Sequence, residues 1–552
     1  MNNVPENRVL LSSVCQPFGT KHGDGFGASY EGSHQLMWAQ GIFRTRGTTT
    51  QWGIDFIAAN LQAPTTVLHY PTMRQFIAEV KKGYKYVGIA FVSSTLHKMR
   101  PMVEAIRRYA PETKIVLGGY GTALGEQIAP YGDHICKEEG VAFMRRLLGE
   151  PVDAPIVQPD ITQVQKLLSV PLLKPTGYIF AGLGCPNGCD FCATSHYFDR
   201  KHIRFLPDGP SILAAIENMR TKHPGMDTFW INDEDFLLNK RRGRGFLQAI
   251  RASDLPPLSI SIFSSVKALS QYSASELVEM GVDWIWVGFE GKRAGYAKMD
   301  GRSYQDLFAD LRAHGISLLA SMIIGFDYQT REIIMEEFEE LIALRPSMSQ
   351  FIIYGPPRGT PLYERITGED RLLEQTYADN SLHDGFTLVF KHPHIGQAEM
   401  SEIQRHLYRE EFRRLGPSAF RVAEDFLTGH VALRNHQNAR VRAKAVRYGQ
   451  DARASLKIIQ ASKRYVSPER RRWLDELQDR MIAETGRPTT KERVLIKLAP
   501  ALLAWEQAKL RLGFNQQPEF TRRTYRTGAQ RSSAQVSANS RQTFSTQRRQ
   551  SR

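Results

Sequence analysis

The sequence predicts an α/β protein with two parallel sheets and a helical C-terminal region. Short apolar runs alternate with longer stretches that carry apolar residues at helical spacing, which is typical of parallel strands joined by helices. The alternation occurs in two series, over residues 1–150 and 175–396, separated by a proline-containing connector over 151–174. Residues 397–513 show mostly helical spacing. We therefore expect two α/β domains followed by a helical region.

The first series is predicted to be a doubly wound, Rossmann-like domain. Strands are predicted over 8–14, 86–91 (YVGIAF) and 114–117 (KIVL). Helices are predicted over 56–61, 72–82 and 97–109. Because the helical stretches separate the strands, the connections are crossovers and the sheet should be parallel.

The second series is predicted to be a partial (β/α)6 barrel. Its strands are expected over 177–181, 228–232, 259–263, 284–288, 318–324 and 350–354. In barrels of this kind, chemistry collects at the carboxyl ends of the strands. The final segment, 514–552, is basic and poor in apolar residues, so we expect a disordered tail.

Composition excludes several classes of protein. Hydrophobic residues make up 42% of the 552 residues and charged residues 23%, enough for most of the chain to bury a core. No apolar run approaches the ~20 residues that a membrane-spanning helix needs, and the N-terminus lacks the features of a secretory signal. Five cysteines are too few for a disulfide scaffold. A cytoplasmic protein with a thiolate metal site is expected.

Three cysteines follow the first strand of the second series. Cys185, Cys189 and Cys192 have the spacing C-x3-C-x2-C, and residues 186–188 (PNG) supply turn chemistry for a wrapping loop. Three thiolates can hold a [4Fe–4S] cluster with one iron open to another ligand. A closed zinc site needs a fourth ligand, which no nearby motif supplies. A chance group of buried cysteines and a zinc knot are the alternatives. Phe191 places an aromatic ring beside the site.

This loop resembles the signature C-x3-C-x-aromatic-C of the radical S-adenosylmethionine (SAM) superfamily, and the resemblance extends over about 180–410. It implies that SAM binds the open iron and is cleaved reductively to a 5′-deoxyadenosyl radical, which abstracts hydrogen from an unactivated carbon. It also implies an electron donor such as ferredoxin or flavodoxin. The protein would supply positioning and exclusion of water.

Further motifs lie where that family contacts SAM. The resemblance assigns such contacts to Phe191, Glu234 and Asp235 (in WINDEDF), Ser265 (in FSSV), Glu290 (in VGFEG) and Ile323 (in MIIGF, before Thr330). Each motif alone also suits an ordinary strand end or turn. Residues 354–363 (YGPPRGTPLY) resemble the P-x-P-G-T-P-L-Y segment of the subgroup with an N-terminal cobalamin (B12)-binding-type domain. Arg358 departs from the usual pattern there.

The first domain carries two motifs that match this cobalamin-binding type. Ser94 and Leu96 resemble the family's S-x-L loop, and Gly118 and Gly119 resemble the G-G turn, where missing side chains let a ligand approach the backbone. Ordinary α/β strand ends are the alternative. The D-x-H-x-x-G motif is absent, the nearest string being TKHGDG at 20–25. We expect cobalamin without a histidine ligand, although loss of the cofactor remains an open alternative.

The two remaining cysteines indicate what the chain lacks. Cys15 and Cys136 are too few for the second cluster of the methylthiotransferases that the family includes. They are predicted to be small buried hydrophobic residues.

Positive charge is concentrated at the C-terminal end. The chain has a net charge of +15, of which residues 431–552 contribute +18, leaving −3 for residues 1–430. Residues 491–513 combine an apolar stripe, including Trp505, with lysines and arginines, a pattern typical of an interfacial helix. A helix packed on the barrel is the alternative. The pattern predicts peripheral contact with the inner face of a membrane, and nucleic acid is not favoured as a partner.

The sequence thus predicts a radical SAM enzyme that methylates an unactivated carbon of an apolar, lipid or terpenoid-like substrate through cobalamin. Radical carbon–carbon coupling, rearrangement or oxidation without cobalamin is the alternative. A basic RNA- or membrane-binding protein with an inert enzyme fold is a third interpretation. The intact cysteine loop and the slightly acidic 1–430 body argue against it.

Overall fold

The computed structural model describes residues 8–18, 36–46, 51–164, 166–167, 174–291, 293–512 and 517–526. The strands are β1 (Val9–Ser13), β2 (Thr45–Arg46), β3 (Thr65–His69), β4 (Tyr86–Ala90), β5 (Lys114–Gly118), β6 (His134–Ile135), β7 (Thr162–Gln163), β8 (Lys166–Leu167), β9 (Thr176–Phe180), β10 (Gly182–Leu183), β11 (Ile203–Arg204), β12 (Thr228–Asn232), β13 (Ser259–Phe263), β14 (Val282–Gly288), β15 (Ser317–Ile324), β16 (Met348–Ile353) and β17 (Thr521–Tyr525).

The α-helices lie between and after these strands. They span Trp52–Ala59, Met73–Val80, Leu96–Tyr109, Gly140–Leu148, Ala193–Tyr197, Gly209–Lys222, Lys240–Ala252, Val266–Leu269, Ala274–Met280, Tyr304–Ala313, Arg331–Ala343, Pro361–Gly368, Glu374–Ala378, Gln397–Leu415, Ser418–Leu433, Ala439–Arg453, Leu456–Ser462, Pro468–Thr485 and Thr490–Arg511. None of the helices in the described ranges is both long and apolar enough to span a bilayer.

The first sheet has the strand order β17-β3-β1-β4-β5-β6, and all but β17 are parallel. Counted among themselves, the parallel strands follow the order 2-1-3-4-5. The chain therefore reverses direction across the sheet between β1 and β4, and a crevice opens there at the carboxyl edge. The predicted doubly wound fold is confirmed. The sequence prediction missed β3, whose TTVLH segment has only two strongly apolar residues.

The second sheet has the order β16-β15-β14-β13-β12-β9-β7, with six parallel strands in chain order. This is the predicted partial barrel, and each predicted strand lies within two residues of an observed one. Alternate residues of β12 and β13, such as Phe229 and Ile260, are fully buried. One face of these strands therefore packs against the surrounding helices, while the other faces the barrel interior.

The C-terminal region is helical from Gln397 to Arg511, as predicted. The disorder predicted for 514–552 is wrong for residues 521–525, which form β17 antiparallel to β3. This TRRTY segment completes an edge whose backbone groups would otherwise stay unpaired. Its side chains are also held: Arg522 bonds Glu79 (2.8 Å), and Arg523 lies 3.2 Å from Asp55. Residues 513–516 and 527–552 lie outside the described part of the chain.

The two α/β domains pack directly against each other. The Trp52 and Tyr178 rings lie 4.2 Å apart, and the Phe56 and Phe180 rings 5.0 Å apart. At the carboxyl edge of the first sheet, the Tyr197 hydroxyl donates to the carbonyl of Cys136 (2.9 Å). Tyr197 ends the short helix after the cysteine loop, so this contact brings the first domain against the predicted cluster site.

Candidate active site

The three predicted cluster ligands lie on one loop between β10 and the helix Ala193–Tyr197. Cys185 and Cys189 are buried, and Cys192 is partly exposed. The Ser195 Oγ donates to the carbonyl of Cys185 (2.6 Å) and accepts from the amide of Gly188 (3.0 Å). Gly188 has a φ of +70°, a conformation that glycine adopts readily. The predicted turn chemistry therefore brings all three thiols into one short loop.

Burial raises the pKa of the Cys185 thiol to about 12 and that of the Cys189 thiol to about 11. At neutral pH these thiols keep their protons unless a metal cation displaces them. In the described residues, no three His, Cys, Asp or Glu side chains are gathered so as to hold a single metal ion. In a [4Fe–4S] cluster each cysteine binds its own iron, so the three sulfurs need not meet at one point.

The three acidic residues after β12, Asp233, Glu234 and Asp235, have different roles. Asp233 is buried, and its Oδ2 accepts from Arg242 (2.5 Å) and His202 (3.1 Å). Burial opposes ionisation, but these two partners hold the pKa of Asp233 below its ordinary value. Asp233 is therefore an ionised structural anchor that joins β12 to the helix Lys240–Ala252.

Asp235 links the cysteine loop to the end of β13. Its carboxylate accepts from the Asn187 amide group (3.2 Å), the Ser264 hydroxyl (3.1 Å) and the Ser265 backbone amide (3.0 Å). The Ser265 Oγ accepts from the amide of Ala268 (3.2 Å) and so caps the following helix. Both predicted SAM-contact residues thus have structural hydrogen bonds, and their contacts with SAM stay predictions.

Glu234 differs from its two neighbours because its Oε2 is buried without a hydrogen-bond partner. Burial, followed by the charge of Asp233, raises the pKa of Glu234 to about 7. Its carboxyl group also accepts a backbone hydrogen bond from Gly184, which places it at the start of the cysteine loop. Of the three acids, Glu234 has the oxygen that is open to a ligand such as the SAM amino group.

The Gly-x-Glu motif after β14 has a steric explanation. Glu290 is buried at a φ of +58°, and its carboxylate folds back over Gly288, where a Cβ would lie 2.2 Å from Oε1. Glu290 Oε1 pairs with Lys298, whereas its Oε2 has no partner. Burial opposes the charge of Lys298, but Glu290 and Cys189 keep the pKa of this lysine above its ordinary value. A partly buried cation therefore lies beside the predicted cluster.

Phe191 is held in place by its neighbour in the cysteine loop. Asp190 accepts from the Tyr296 hydroxyl (2.6 Å) and the Tyr354 hydroxyl (3.0 Å). The rings of the same two tyrosines lie 5.3 and 5.9 Å from the Phe191 ring, and Lys298 Nζ lies 5.5 Å from it. These contacts fix the aromatic residue of the motif between the cluster loop and the end of β16.

The residues of the motif at the end of β15 also have different roles. Ile323 is almost buried and lines the cavity described below. Gly325 has a φ of +99°, and its amide donates to the Gln329 side chain (2.6 Å). Thr330 caps the helix Arg331–Ala343 through Ile333 (3.4 Å). The threonine of this motif thus has a local structural role.

The four cobalamin-contact residues predicted in the first domain occupy different environments. Ser94 lines the same cavity. Leu96 is buried in the domain core and does not line it. Gly119 has a φ of +87°, and a Cβ there would lie 2.6 Å from the carbonyl of Phe91, whereas a Cβ on Gly118 would meet nothing within 4 Å. Gly119 is required by the turn, and Gly118 leaves space beside the backbone.

A cavity of about 700 Å³ separates the carboxyl edges of the two sheets. The first domain, the cysteine loop, the barrel and the segment after it each contribute lining residues, among them Ser94, Tyr120, Phe191, Ile323, Arg358 and His383. Tyr120 comes from the first domain, and its pKa is raised, first by burial. Charges that act on this hydroxyl include Glu234 and Cys192, so the first domain reaches the cluster loop.

These residues fit a cluster, SAM and a large second cofactor. Three thiols on one loop provide the cluster ligands. Unpartnered buried atoms of Asn232, Glu234 and Glu290 provide polar contacts at the neighbouring strand ends. The open space at Gly118 can admit a ligand to the backbone of the first domain, and Ser94 and Tyr120 of the same domain line the cavity. The TKHGDG string at 20–25 lies outside the described residues.

Sequence analysis missed several parts of this site. Lys298, Tyr296 and Tyr120 carry no motif, and only the folded chain brings them to the cluster loop. Cys15 and Cys136 are buried, as predicted, and burial raises the pKa of both thiols.

Several known proteins are similar to this chain in sequence. The chain is 26% identical over 241 residues to uncharacterized methyltransferase PH0819 of Pyrococcus horikoshii, covering 42% of this chain and 50% of that protein. It is 22% identical over 435 residues to the anaerobic magnesium-protoporphyrin IX monomethyl ester cyclase of Cereibacter sphaeroides, covering 69% and 68%. The chain thus spans about half the length of the first relative. No family model matches.

Among solved structures, the chain is similar to the radical SAM methyltransferase TsrM of Kitasatospora setae, determined with its tryptophan substrate and the SAM analogue aza-SAM. The TM-score is 0.50 at 14% identity, and the match covers 81% of this chain and 99% of TsrM. The two proteins share the α/β architecture with parallel sheets. At 14% identity this similarity establishes a shared fold, and it agrees with the resemblance to radical SAM enzymes that the sequence motifs indicate.

Proposed function

We propose that this relative of the radical SAM enzymes is itself a radical SAM enzyme that methylates an unactivated carbon with the help of cobalamin. The observation that carries the proposal is the joint position of the cysteine loop, the unpartnered Glu234 and Glu290 oxygens and the cavity shared with the first domain. The methyltransferase PH0819 and TsrM, to which the chain is similar, support this choice of reaction.

The residues divide the work. Cys185, Cys189 and Cys192 would hold the [4Fe–4S] cluster, and Glu234 would accept a hydrogen bond from the SAM amino group. When bound, the cluster supplies the electron that cleaves SAM, and cobalamin supplies a methyl carrier. Lys298 holds Glu290 in its folded-back position and adds positive charge beside the thiolates. Phe191 shields this edge of the cavity from water.

The first domain would hold cobalamin through Ser94, Gly118 and Gly119, without a histidine ligand. Ser94 lines the cavity, and Gly118 leaves room beside its own backbone, which suits a large ligand that approaches the backbone. The second candidate reaction is radical coupling, rearrangement or oxidation without cobalamin. It is favoured by the similarity to the anaerobic cyclase, whose name describes ring closure rather than methylation.

An anaerobic assay separates these reactions. Reconstituted protein is incubated with SAM, a reductant and a lipid extract, and the products are read by mass spectrometry. We expect 5′-deoxyadenosine, methylated product and cobalamin that co-purifies with the chain. Absence of 5′-deoxyadenosine would overturn the radical SAM proposal. Its formation without bound cobalamin or methyl transfer would favour the second reaction.

The substrate is proposed to be apolar, of lipid or terpenoid type. Ile323, Ile352 and Val389 line the cavity together with Phe191, so much of its wall is apolar. An extract depleted of neutral and acidic lipids should then give no product in the same assay. Product formed equally well from the depleted extract would contradict this substrate class.

Peripheral membrane contact is proposed for the helix Thr490–Arg511. One face packs through Ala499 and Leu503, but Leu498 and Trp505 are 59% and 62% exposed. Lysines and arginines flank this apolar face, which suits an anionic bilayer at the inner face of a cytoplasmic membrane. The variant Leu498→Ser/Trp505→Ser should sediment less with phosphatidylglycerol vesicles than the wild type. Val446→Ser, at an equally exposed valine elsewhere, is the control.

The electron donor, a ferredoxin or flavodoxin, is proposed to approach on the Cys185 side. A second cavity of about 340 Å³ is lined by Cys185, His202, Arg204 and Asn239. Exposed Lys201 and Arg204 give this surface positive charge, which suits an acidic partner. Arg204→Glu should slow SAM cleavage driven by reduced ferredoxin and leave cleavage driven by dithionite unchanged. Equal slowing with both reductants would contradict this docking site.

A further inference from the structure

Arg358 departs from the motif around it and lies on a wall of the main cavity. It follows β16 in the segment GPPRGT at 355–360, which two prolines and a local bond make rigid. The Thr360 amide donates to the carbonyl of Pro357 (3.2 Å), and Gly359 has a φ of +80°. The loop therefore fixes the backbone from which the Arg358 side chain extends.

The guanidinium has no anionic partner in the described residues. It makes no hydrogen bond or ion pair there, and its Nε is a buried atom without an acceptor. Its contacts are with aromatic rings: Cζ lies 5.2 Å from the Tyr363 centroid and 5.7 Å from the Tyr377 centroid. Partly burying a charge costs free energy unless an acceptor is present. The aromatic faces offset part of this cost.

The neighbouring groups leave Arg358 as the positive charge on the barrel side of the cavity, since the other lysine or arginine among its described lining residues, Lys137, is exposed and belongs to the first domain. His383 packs 4.6 Å from the Tyr377 ring, and burial, followed by the charge of Arg358, lowers its pKa. His383 is therefore neutral near pH 7. Asp384 also lines the wall, but its carboxylate accepts from the amide of Phe386 (2.8 Å), and burial raises its pKa.

The rest of the cavity between Arg358 and the cluster loop is largely apolar. Ile352, Val389 and Ile323 lie along its lining, and Phe191 is the residue of the cysteine loop that lines it. A ligand with an anionic group at one end and an apolar body at the other would satisfy both parts. The oxygens of its anionic group would accept hydrogen bonds from the N–H groups of the Arg358 guanidinium, and its apolar body would lie toward the radical site.

We propose that Arg358 binds an anionic group, carboxylate or phosphate, of an amphiphilic substrate and so fixes which of its carbons faces the cluster. This inference rests on the proposed function and narrows its substrate class. It makes Arg358 a specificity residue, because a neutral ester of the same apolar body would leave the guanidinium unpaired.

A binding experiment tests this without turnover. The fluorescent amphiphile 11-(dansylamino)undecanoate is bound to the reconstituted full-length protein and displaced by laurate, dodecyl phosphate or methyl laurate. We expect laurate or dodecyl phosphate to displace it at a concentration roughly tenfold lower than methyl laurate, as a charged hydrogen bond would give. Whichever of the two anions competes better identifies the recognised group.

Three variants complete the test. Arg358→Met should bring the ratio between anion and ester to about one, and Arg358→Lys should keep part of it. Arg409→Met is the matched control, since Arg409 packs on the Trp38 ring (5.6 Å) on the exposed surface and should leave the ratio unchanged. A ratio near one in the wild type, or an unchanged ratio in Arg358→Met, overturns the proposal. Failure of 5′-deoxyadenosine release would instead count against the enzyme function alone.

Discussion

The two parallel sheets present their carboxyl edges to one cavity, yet the two edges carry different kinds of residue. The barrel edge has thiols, the carboxylates of Glu234 and Glu290 and the ammonium group of Lys298. In the first domain, the residues predicted to contact cobalamin, Ser94, Gly118 and Gly119, carry no ionisable side chain, although Tyr120 and the exposed Lys137 of the same domain also line the cavity. One sheet thus supplies charge and metal ligands, and the other supplies accessible backbone.

This difference indicates how a shared architecture takes on two tasks. Electron and proton chemistry needs groups whose charge the protein controls, and burial at the barrel edge shifts the pKa of several of them. A site for a large cofactor needs space more than charge, and glycine supplies this space because it has no side chain. Changes at the barrel edge should therefore abolish chemistry, whereas changes at the other edge should weaken cofactor binding or folding.

The largest effect is expected from Cys189→Ala. Removing one of three thiolates should leave the cluster without a complete ligand set, so iron falls well below about four per chain and SAM cleavage becomes undetectable. Iron analysis and 5′-deoxyadenosine release measure the two effects.

Cys15→Ala is the control for that variant, because Cys15 is equally buried but lies in the core of the first domain. It should keep both iron and activity. If Cys15→Ala lost the cluster and Cys189→Ala kept it, the assignment of redox chemistry to the barrel edge would be wrong.

The next effect concerns the buried pair Lys298–Glu290. Lys298→Met leaves the carboxylate of Glu290 buried without its cation, which should cost about 3 kcal/mol in the free energy of unfolding, measured by urea denaturation. Arg293→Met removes an exposed cation from Glu336 and should cost less than about 1 kcal/mol. Equal losses in the two variants would show that burial of the ion pair at this edge does not increase its contribution to the free energy of unfolding.

Much of the barrel could be predicted from sequence because its signals are local. The strand β15 is a nearly continuous apolar run, β13 alternates apolar and polar residues, and the cysteine loop contains its ligands and turn residues within eight positions. The Gly-x-Glu motif is equally local, since Gly288 leaves space for the carboxylate two residues on.

Contacts between distant segments could not be predicted. Lys298 reaches Phe191 of the cysteine loop, more than 100 residues earlier, only in the folded chain, and Tyr120 reaches the same loop only when the domains pack. The strand β17 looked like a disordered tail because its arginines are polar. Their partners, Glu79 and Asp55, lie more than 400 residues away in sequence. The sequence also could not show that Glu234 is the acid of the WINDEDF motif with a carboxylate oxygen that has no hydrogen-bond partner.

A smaller effect is expected from the two glycines of the first domain. Gly119→Ala should lower the free energy of unfolding by about 1–3 kcal/mol, because the new Cβ would meet the carbonyl of Phe91 at a positive φ. Gly118→Ala meets nothing and should leave stability within about 0.5 kcal/mol. It should nevertheless weaken cobalamin binding roughly tenfold if the ligand passes this backbone. Cobalamin titrated by absorbance gives the affinity, and an unchanged value would contradict a ligand at this edge.

The smallest effect lies at the far edge of the same sheet, where β17 holds Glu79. Burial opposes ionisation there, but hydrogen bonds from Arg522, Lys82 and Tyr84 lower the pKa of Glu79 to about 2. A depressed pKa stabilises the fold above the unfolded value of about 4.3, and this stabilisation is lost as pH falls toward 2.

Arg522→Ala should therefore cost about 1 kcal/mol at pH 7, a modest amount because the arginine is partly exposed. The difference from wild type should shrink as urea denaturation is repeated at pH 5, 4 and 3. Arg526→Ala, exposed in the same segment, should show no such pH dependence. A loss at pH 7 that persists unchanged at pH 3 would mean that Arg522 stabilises this edge through contacts other than its pairing with the Glu79 charge. The edge at β17 would then differ from the barrel edge, where the pairing of Glu290 with Lys298 is expected to stabilise the fold.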